Sequence, residues 1–157
     1  MTFTGSGTTT LSGANTYTGD TVISNGTVAL TGAATLPTSV KVVVSGATFD
    51  VSGLTSLPFT ISAGKTLSGV GTVKGSVAMA STATLAPGTS AGTITLVTNL
   101  TLNAGSTNLF ELSTTAGGSN DKVLVGGTLA ANGSTIYVSA TGGAASMDTT
   151  TDYVLFY

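Results

Sequence analysis

A glycine-centred phrase that runs straight into alternating apolar residues recurs along this chain, and it narrows the possible folds more than any other feature. Asn25-Gly26-Thr27-Val28, Ser45-Gly46-Ala47-Thr48-Phe49, Ala63-Gly64-Lys65-Thr66-Leu67, Ala104-Gly105-Ser106-Thr107 and Asn132-Gly133-Ser134-Thr135-Ile136 all carry it. The first three glycines, Gly26, Gly46 and Gly64, are almost evenly spaced. Ser81-Thr82-Ala83-Thr84-Leu85 fills the same slot without a Gly, since Leu85 follows Leu67 by the same interval that separates Gly46 from Gly64. Glycine suits such corners because it takes up positive φ, or lets two backbones approach closely, at no steric cost. Asn25-Gly26 and Asn132-Gly133 are in addition tight-turn dipeptides.

Beyond the corners, apolar residues alternate with Thr, Ser or Lys: Val28 and Leu30, Val40, Val42 and Val44, Phe49 and Val51, Phe59 and Ile61, Ile94 and Leu96, Leu100 and Leu102, Val123 and Val125, Ile136 and Val138. A period of two marks half-buried strands, and the β-branched Thr and Val between them favour a pleated surface over a helix. The expectation is an all-β chain without substantial helix. Corners and alternation that recur together roughly every 18–20 residues predict a parallel β-helix (β-solenoid) of about 7–8 rungs. A β-sandwich is the competing architecture, because evenly spaced short strands also describe it, but it has no need for the two patterns to repeat in step. Rungs stacked about 4.8 Å apart would give a rod roughly 35–40 Å long for about eight rungs. Residues 1–157 read as one solenoid module, with a loop interrupting it near 114–121, which fits the wide gap between Gly105 and Gly133.

Composition limits the chemistry. The 33 Thr, 18 Ser and 22 Gly make up nearly half of the 157 residues. Only 6% of the chain is charged, far below the usual quarter, while 41% hydrophobic content argues that it folds. Four Lys, no Arg and a net charge of −2 cannot supply the cationic surface that phosphate backbones require, which excludes nucleic acid as a partner. Without Cys or His there are no disulfides, no thiolate or imidazole metal ligands, no Cys nucleophile and no His-based triad. No cofactor and no metal are expected. Met1 to Thr10 contain no Lys or Arg and no apolar core, so no signal peptide is read in this chain. No apolar run approaches the roughly 18 residues of a membrane helix.

Leu11-Ser12-Gly13-Ala14-Asn15-Thr16-Tyr17-Thr18-Gly19-Asp20-Thr21-Val22-Ile23-Ser24-Asn25-Gly26-Thr27-Val28 resembles the autotransporter-associated β-strand repeat, whose pattern is a Leu-Ser-Gly-x-Asn-Thr-Tyr-Thr-Gly run followed by a Gly-Thr-Leu step. Leu85-Ala86-Pro87-Gly88-Thr89-Ser90-Ala91-Gly92-Thr93-Ile94 resembles the Leu-x-Pro-Gly-x-Ser-x-Gly-Thr-Leu segment of such passengers, and Ser119-Asn120-Asp121-Lys122-Val123-Leu124-Val125 the run that follows it. The resemblance implies a right-handed parallel β-helix in a secreted or surface-displayed bacterial protein, and it implies no activity. It marks Asn15, Tyr17, Gly19, Gly26, Gly46, Gly64, Pro87, Gly88, Gly105 and Gly133 as structural positions. Tyr17 is expected to pack beneath its own turn.

The carboxylates Asp20, Asp50, Glu111, Asp121, Asp148 and Asp152 are the candidates for polysaccharide cleavage, since β-helices also carry lyases and hydrolases. Such hydrolysis needs two carboxylates about 5–9.5 Å apart across a cleft, and only Asp148 and Asp152 are close in sequence. Solvated faces and turn caps are the simpler reading of all six. Glu111 faces outward if Phe110 and Leu112 face inward, where it can pair with Lys122 on an adjacent rung. Gly117-Gly118-Ser119-Asn120-Asp121 has the look of a calcium turn but lacks the nine-residue repeat, so a plain loop is expected. Thr-x-Thr pairs (Thr8/Thr10, Thr16/Thr18, Thr82/Thr84, Thr93/Thr95, Thr149/Thr151) suggest an ice-binding hydroxyl array only if they recur at one position on successive rungs. Tyr137 is expected to face outward, where a tyrosine can stack on a sugar. Tyr153, Val154, Leu155, Phe156 and Tyr157 would leave an apolar edge at the solenoid's end, a candidate end-to-end interface.

Together these readings predict a non-catalytic structural module, a rigid stalk or scaffold of an extracellular or cell-surface bacterial protein. Its expected partners are itself, stacked head to tail into fibres, or flanking modules of a longer passenger. The alternative is an adhesin that binds surface glycans through its Thr/Ser/Tyr faces.

Overall fold

In a computed structural model, which describes residues 1–140, 147–148 and 150–157, the chain is a parallel β-solenoid with no helix among the described residues. The first rung contributes β1 (Thr2–Phe3) and β2 (Thr8–Leu11), the second β3 (Thr21–Ile23) and β4 (Thr27–Gly32). Four rungs of three strands follow. They are β5 (Lys41–Val44), β6 (Thr48–Leu54) and β7 (Phe59–Ile61); β8 (Thr66–Gly69), β9 (Thr72–Lys74) and β10 (Val77–Met79); β11 (Thr84–Pro87), β12 (Thr93–Leu96) and β13 (Leu100–Leu102); and β14 (Thr107–Leu112), β15 (Lys122–Val125) and β16 (Leu129–Ala131). A seventh rung opens with β17 (Thr135–Ala140).

Each strand pairs with its counterparts one rung below and above, so the strands form three sheets, ordered β1-β3-β5-β8-β11-β14-β17, β2-β4-β6-β9-β12-β15 and β7-β10-β13-β16. Every ladder between these strands is parallel. The facing antiparallel sheets of a sandwich are absent from this topology. Six intervals of about 4.8 Å along the first sheet give a stack about 30 Å tall.

The rungs are less regular than the sequence period suggests. Down the first sheet the register partners are Thr2↔Val22, Thr21↔Val42, Lys41↔Thr66, Thr66↔Thr84, Thr84↔Thr107 and Thr107↔Thr135. The step from Thr66 to Thr84 is the shortest of these and the step from Thr107 to Thr135 the longest. The extra residues leave as loops at the corners, where surface backbone can lengthen without disturbing the stack. The longest departure, between β14 and β15, covers the expected interruption at 114–121.

Period two does its work inside. In the second sheet Val28, Phe49, Val73 and Leu96 stack in one register column, all fully buried. In the third, Val77 stacks on Leu100 and Met79 on Leu102, and these four are at most 1% exposed. Burying each such side chain contributes on the order of 1.5–3 kcal/mol. The alternation misleads at Val40, which is 56% exposed at the corner before β5, and at Ile136 and Val138, each 46% exposed. Among the described residues β17 is the last strand of its sheet and no strand pairs with its outer edge. Phe49 and Phe59 meet edge to face at 5.4 Å between centroids, joining two sheets within one rung.

Candidate functional site

Asn15 and Tyr17, two of the residues singled out by the sequence, lie in the segment between β2 and β3. Asn15 donates through Nδ2 to Gly13 O (2.7 Å) and to Thr35 O (3.1 Å), while its backbone N–H also reaches Thr35 O at 3.1 Å. One side chain thus holds its own turn and the rung above. Tyr17 packs against the core, and its hydroxyl lies 2.7 Å from Thr21 Oγ1, which is 2.8 Å from Ser39 Oγ. The Ser39 hydroxyl donates onward to Lys41 O at 3.2 Å. This chain satisfies Thr21 and Ser39, both buried in a place where unpaired hydroxyls would be costly. Tyr17 thus ties the segment before β3 to the core and to Thr21.

The glycines divide. Gly26 (φ +64°) needs its identity twice over, because a Cβ there would also run into the carbonyl oxygens of Gly5 and Gly7. Gly46, Gly64, Gly105 and Gly133 have φ between +70° and +79°. Gly19 shows no positive φ, and the nearest atom to an added Cβ is 3.8 Å away, so no corner geometry demands glycine there. The slot without a Gly behaves as its position implies: Thr82 is in the left-handed region at φ +64°. The phrase nevertheless marks two corners, not one. Gly26 and Gly46 precede strands of the second sheet, whereas Gly64, Thr82, Gly105 and Gly133 precede strands of the first. Both corners turn a left-handed residue into a Thr-apolar strand, which makes them alike in sequence.

The Pro87-Gly88 segment and the Asn120-Asp121 segment, read as separate motifs, meet across one rung. Asp121 is 1% exposed. Its Oδ1 accepts from Gly92 N and its Oδ2 from Glu111 N, both at 2.7 Å. Burial pushes the Asp121 carboxyl above its ordinary value, against the lowering effect of the Glu111 and Gly92 amides. Gly88 (φ +81°) leaves room for this carboxylate, because a Cβ there would stand 2.8 Å from Oδ1. Asp121, read with the other carboxylates as a solvated face or a turn cap, is a cap that lies buried. Its neighbour Asn120 organises the interrupting loop: Oδ1 accepts from Ser113 N at 2.7 Å, and Nδ2 donates to Ala116 O at 2.8 Å and Gly118 O at 3.1 Å. Sequence reasoning misses both roles: Gly92 reaches Asp121 only through the stacking of one rung on the next, while Glu111, Ser113, Ala116 and Gly118 meet Asp121 and Asn120 only when the loop between β14 and β15 folds back on itself.

The remaining carboxylates do not assemble. Asp148 spends its oxygens on Thr150 N (2.8 Å), Thr150 Oγ1 (2.6 Å) and Thr151 Oγ1, bonds that hold its carboxyl below the ordinary value. Asp152 is exposed. Glu111 faces out between buried Phe110 and Leu112 as expected, but it pairs in register with Ser139 while Lys122 pairs with Thr93, so the two occupy different sheets. No cluster of three metal-ligating side chains occurs among the described residues.

Threonines do form ladders, Thr8-Thr27-Thr48-Thr72-Thr95 on the second sheet and Thr66-Thr84-Thr107-Thr135 on the first. The column beside the former runs Thr10-Ala29-Asp50-Lys74, so no double array of hydroxyls results. Of the pair Thr149/Thr151, Thr149 lies outside the described residues.

At the C-terminal end, Tyr153–Tyr157 is not a free run. Val123 N donates to Leu155 O (2.8 Å), Val125 N to Tyr157 O (2.8 Å), and Tyr157 N to Val123 O (3.0 Å), so the segment lies on β15 as the next strand of the second sheet. Phe156 meets Phe110 edge to face at 5.3 Å, and the Tyr153 hydroxyl donates to Ser113 O at 3.1 Å. Val154 and Tyr157 stay exposed.

The family model described as passenger-associated-transport-repeat matches residues 1–30, the first two rungs up to Leu30 of β4. That stretch contains Leu11 to Val28, so the likeness to an autotransporter passenger repeat is supported there. No curated protein and no solved structure matches the chain.

Proposed function

We propose that this chain is a non-catalytic structural module, a rigid stalk or scaffold segment of a secreted or surface-displayed bacterial protein. The observation that carries the reading is the use made of the polar side chains. Asn15, Tyr17, Asn120 and Asp121, which a catalytic or metal site would draw on, are committed to holding one rung to another or to closing a corner. The passenger-type repeat in the first two rungs supports the location. Head-to-tail stacking into fibres extends this reading. Among the described residues β17 is paired on one edge only, and the C-terminal segment lies on β15 beside it. Negative-stain imaging of concentrated protein tests the extension: end-joined filaments are expected, and monodisperse short particles would remove the fibre while leaving the stalk.

An adhesin reading is favoured by one feature. Leu109 and Tyr137 are register neighbours on the outer face of the first sheet and are 41% and 59% exposed. A glycan array in which the Tyr137→Ala variant loses binding would support it, and an array without binders would end it.

A further inference from the structure

The rungs are not closed on all sides. On the third side of the solenoid, Thr35 of the second rung bridges downward to Ala14 of the first. Above it, β7 of the third rung is the end strand of its sheet, paired only to β10. Between the two rungs lies a cleft of about 450 Å³. One wall is formed from the segment 32–42 and the other from the segment 54–66. The long step from Lys41 to its register partner Thr66 is what supplies the second wall.

The lining is mainly apolar, with Leu36, Val40, Val42, Leu54, Phe59 and Ile61 in it, and the volume falls in the range of small-molecule sites. Among the described residues Lys65 is the one charged residue of the lining, which contains no Asp or Glu. Its ammonium donates to Pro37 O at 2.6 Å and Leu36 O at 3.2 Å, crossing the cleft near the end where both walls turn into β5 and β8. An ammonium carries three donors, so one donor and the whole positive charge are left for a ligand at the mouth of an apolar slot.

We propose that this cleft binds a linear amphiphile of the fatty-acid class, its carboxylate on Lys65 and its hydrocarbon chain along Phe59 and Leu54. Two walls drawn from stacked rungs face each other across the slot, an arrangement that suits an unbranched tail. The uncompensated cation selects an anionic head over a neutral or cationic one. This site is independent of the stalk reading, and neither fails with the other.

Calorimetric titration of the intact chain near neutral pH, with dodecanoate and dodecan-1-ol below their aggregation concentrations, tests it. The expected result is one dodecanoate per chain, bound about tenfold or more tighter than the alcohol, a ratio typical of one charge-assisted hydrogen bond. Lys65→Met keeps the aliphatic stem and erases that preference. Dodecylammonium, with the same chain on a cationic head, should bind at least about tenfold more weakly than dodecanoate. The proposal is overturned by absence of saturable dodecanoate binding to the natural chain. It is equally overturned by several equivalents bound without preference for the acid, by dodecylammonium binding as tightly as dodecanoate, or by a preference that survives in Lys65→Met.

Discussion

Single residues decide whether a corner closes. Thr82 is a β-branched residue in the left-handed region, a conformation that costs on the order of 1–3 kcal/mol. Its hydroxyl recovers part of this by accepting from Gly64 N at 3.1 Å one rung away. Thr82→Gly should therefore stabilise the chain by about 1 kcal/mol, read as an upward shift of the urea midpoint. Gly26→Ala should do the reverse by more than about 2 kcal/mol, because positive φ and carbonyl contact both oppose a Cβ. The Thr82 slot was legible from the spacing of Leu67 and Leu85 alone. Asp121 was not, since a carboxylate beside two glycines and a serine has the look of an open loop until the loop folds back onto Glu111 and the stacking of rungs brings Gly92 against it. Asp121→Ala leaves two amides without their acceptor, at roughly 1–3 kcal/mol. Because burial raises this carboxyl in the folded chain, the folded state holds the proton more tightly than the unfolded one. The contribution of Asp121 to stability is then fullest below the ordinary carboxylate value and declines as pH rises through the raised one. The Asp121→Ala penalty should grow between about pH 7 and about pH 3; a penalty that shrinks on acidification would contradict the direction of the shift.

Strands and corners are where the sequence was most and least informative. Alternation located the inward columns of β4, β5, β6, β12 and β13 because a half-buried strand imposes it on every residue. It failed at β17, whose Ile136 and Val138 alternate as faithfully but belong to the last strand of their sheet. Periodicity reports which face is suited to burial and says nothing about what covers it. The C-terminal segment shows the converse. Five apolar residues in a row have no alternation, yet Phe156 turns onto Phe110 while Val154 turns out. Inner columns should be far more sensitive than outer ones. Leu85→Ala, in the column between Leu67 and Asn108, should cost about 2–5 kcal/mol. Thr84→Ala, its outward neighbour, should cost well under about 1 kcal/mol. Equal losses in thermal unfolding would mean that the inside and outside of β11 have been assigned wrongly.

At the scale of the molecule, shape follows from nearest-neighbour stacking: each rung buries its apolar side chains only because another lies on either side. That logic made the solenoid readable from a recurring corner phrase. It also explains why the period blurs, from the short step between Thr66 and Thr84 to the long one between Thr107 and Thr135, since corners absorb insertions that strands cannot. The widest consequence of an insertion is the cleft between the second and third rungs, invisible in the sequence because its two walls belong to different turns of the coil. The parallel stack itself is tested most directly by cysteine pairing, for which a chain without native Cys is well suited. Thr84 and Thr107 are register neighbours on consecutive rungs, while Thr84 and Thr135 are two rungs apart. Strand neighbours about 4.8 Å apart lie within disulfide reach, and positions about 10 Å apart lie beyond it. In dilute protein under mild oxidation, Thr84→Cys with Thr107→Cys should close an intrachain disulfide and Thr84→Cys with Thr135→Cys should not. The opposite pattern, or no bond in either pair, would contradict a solenoid of stacked parallel rungs.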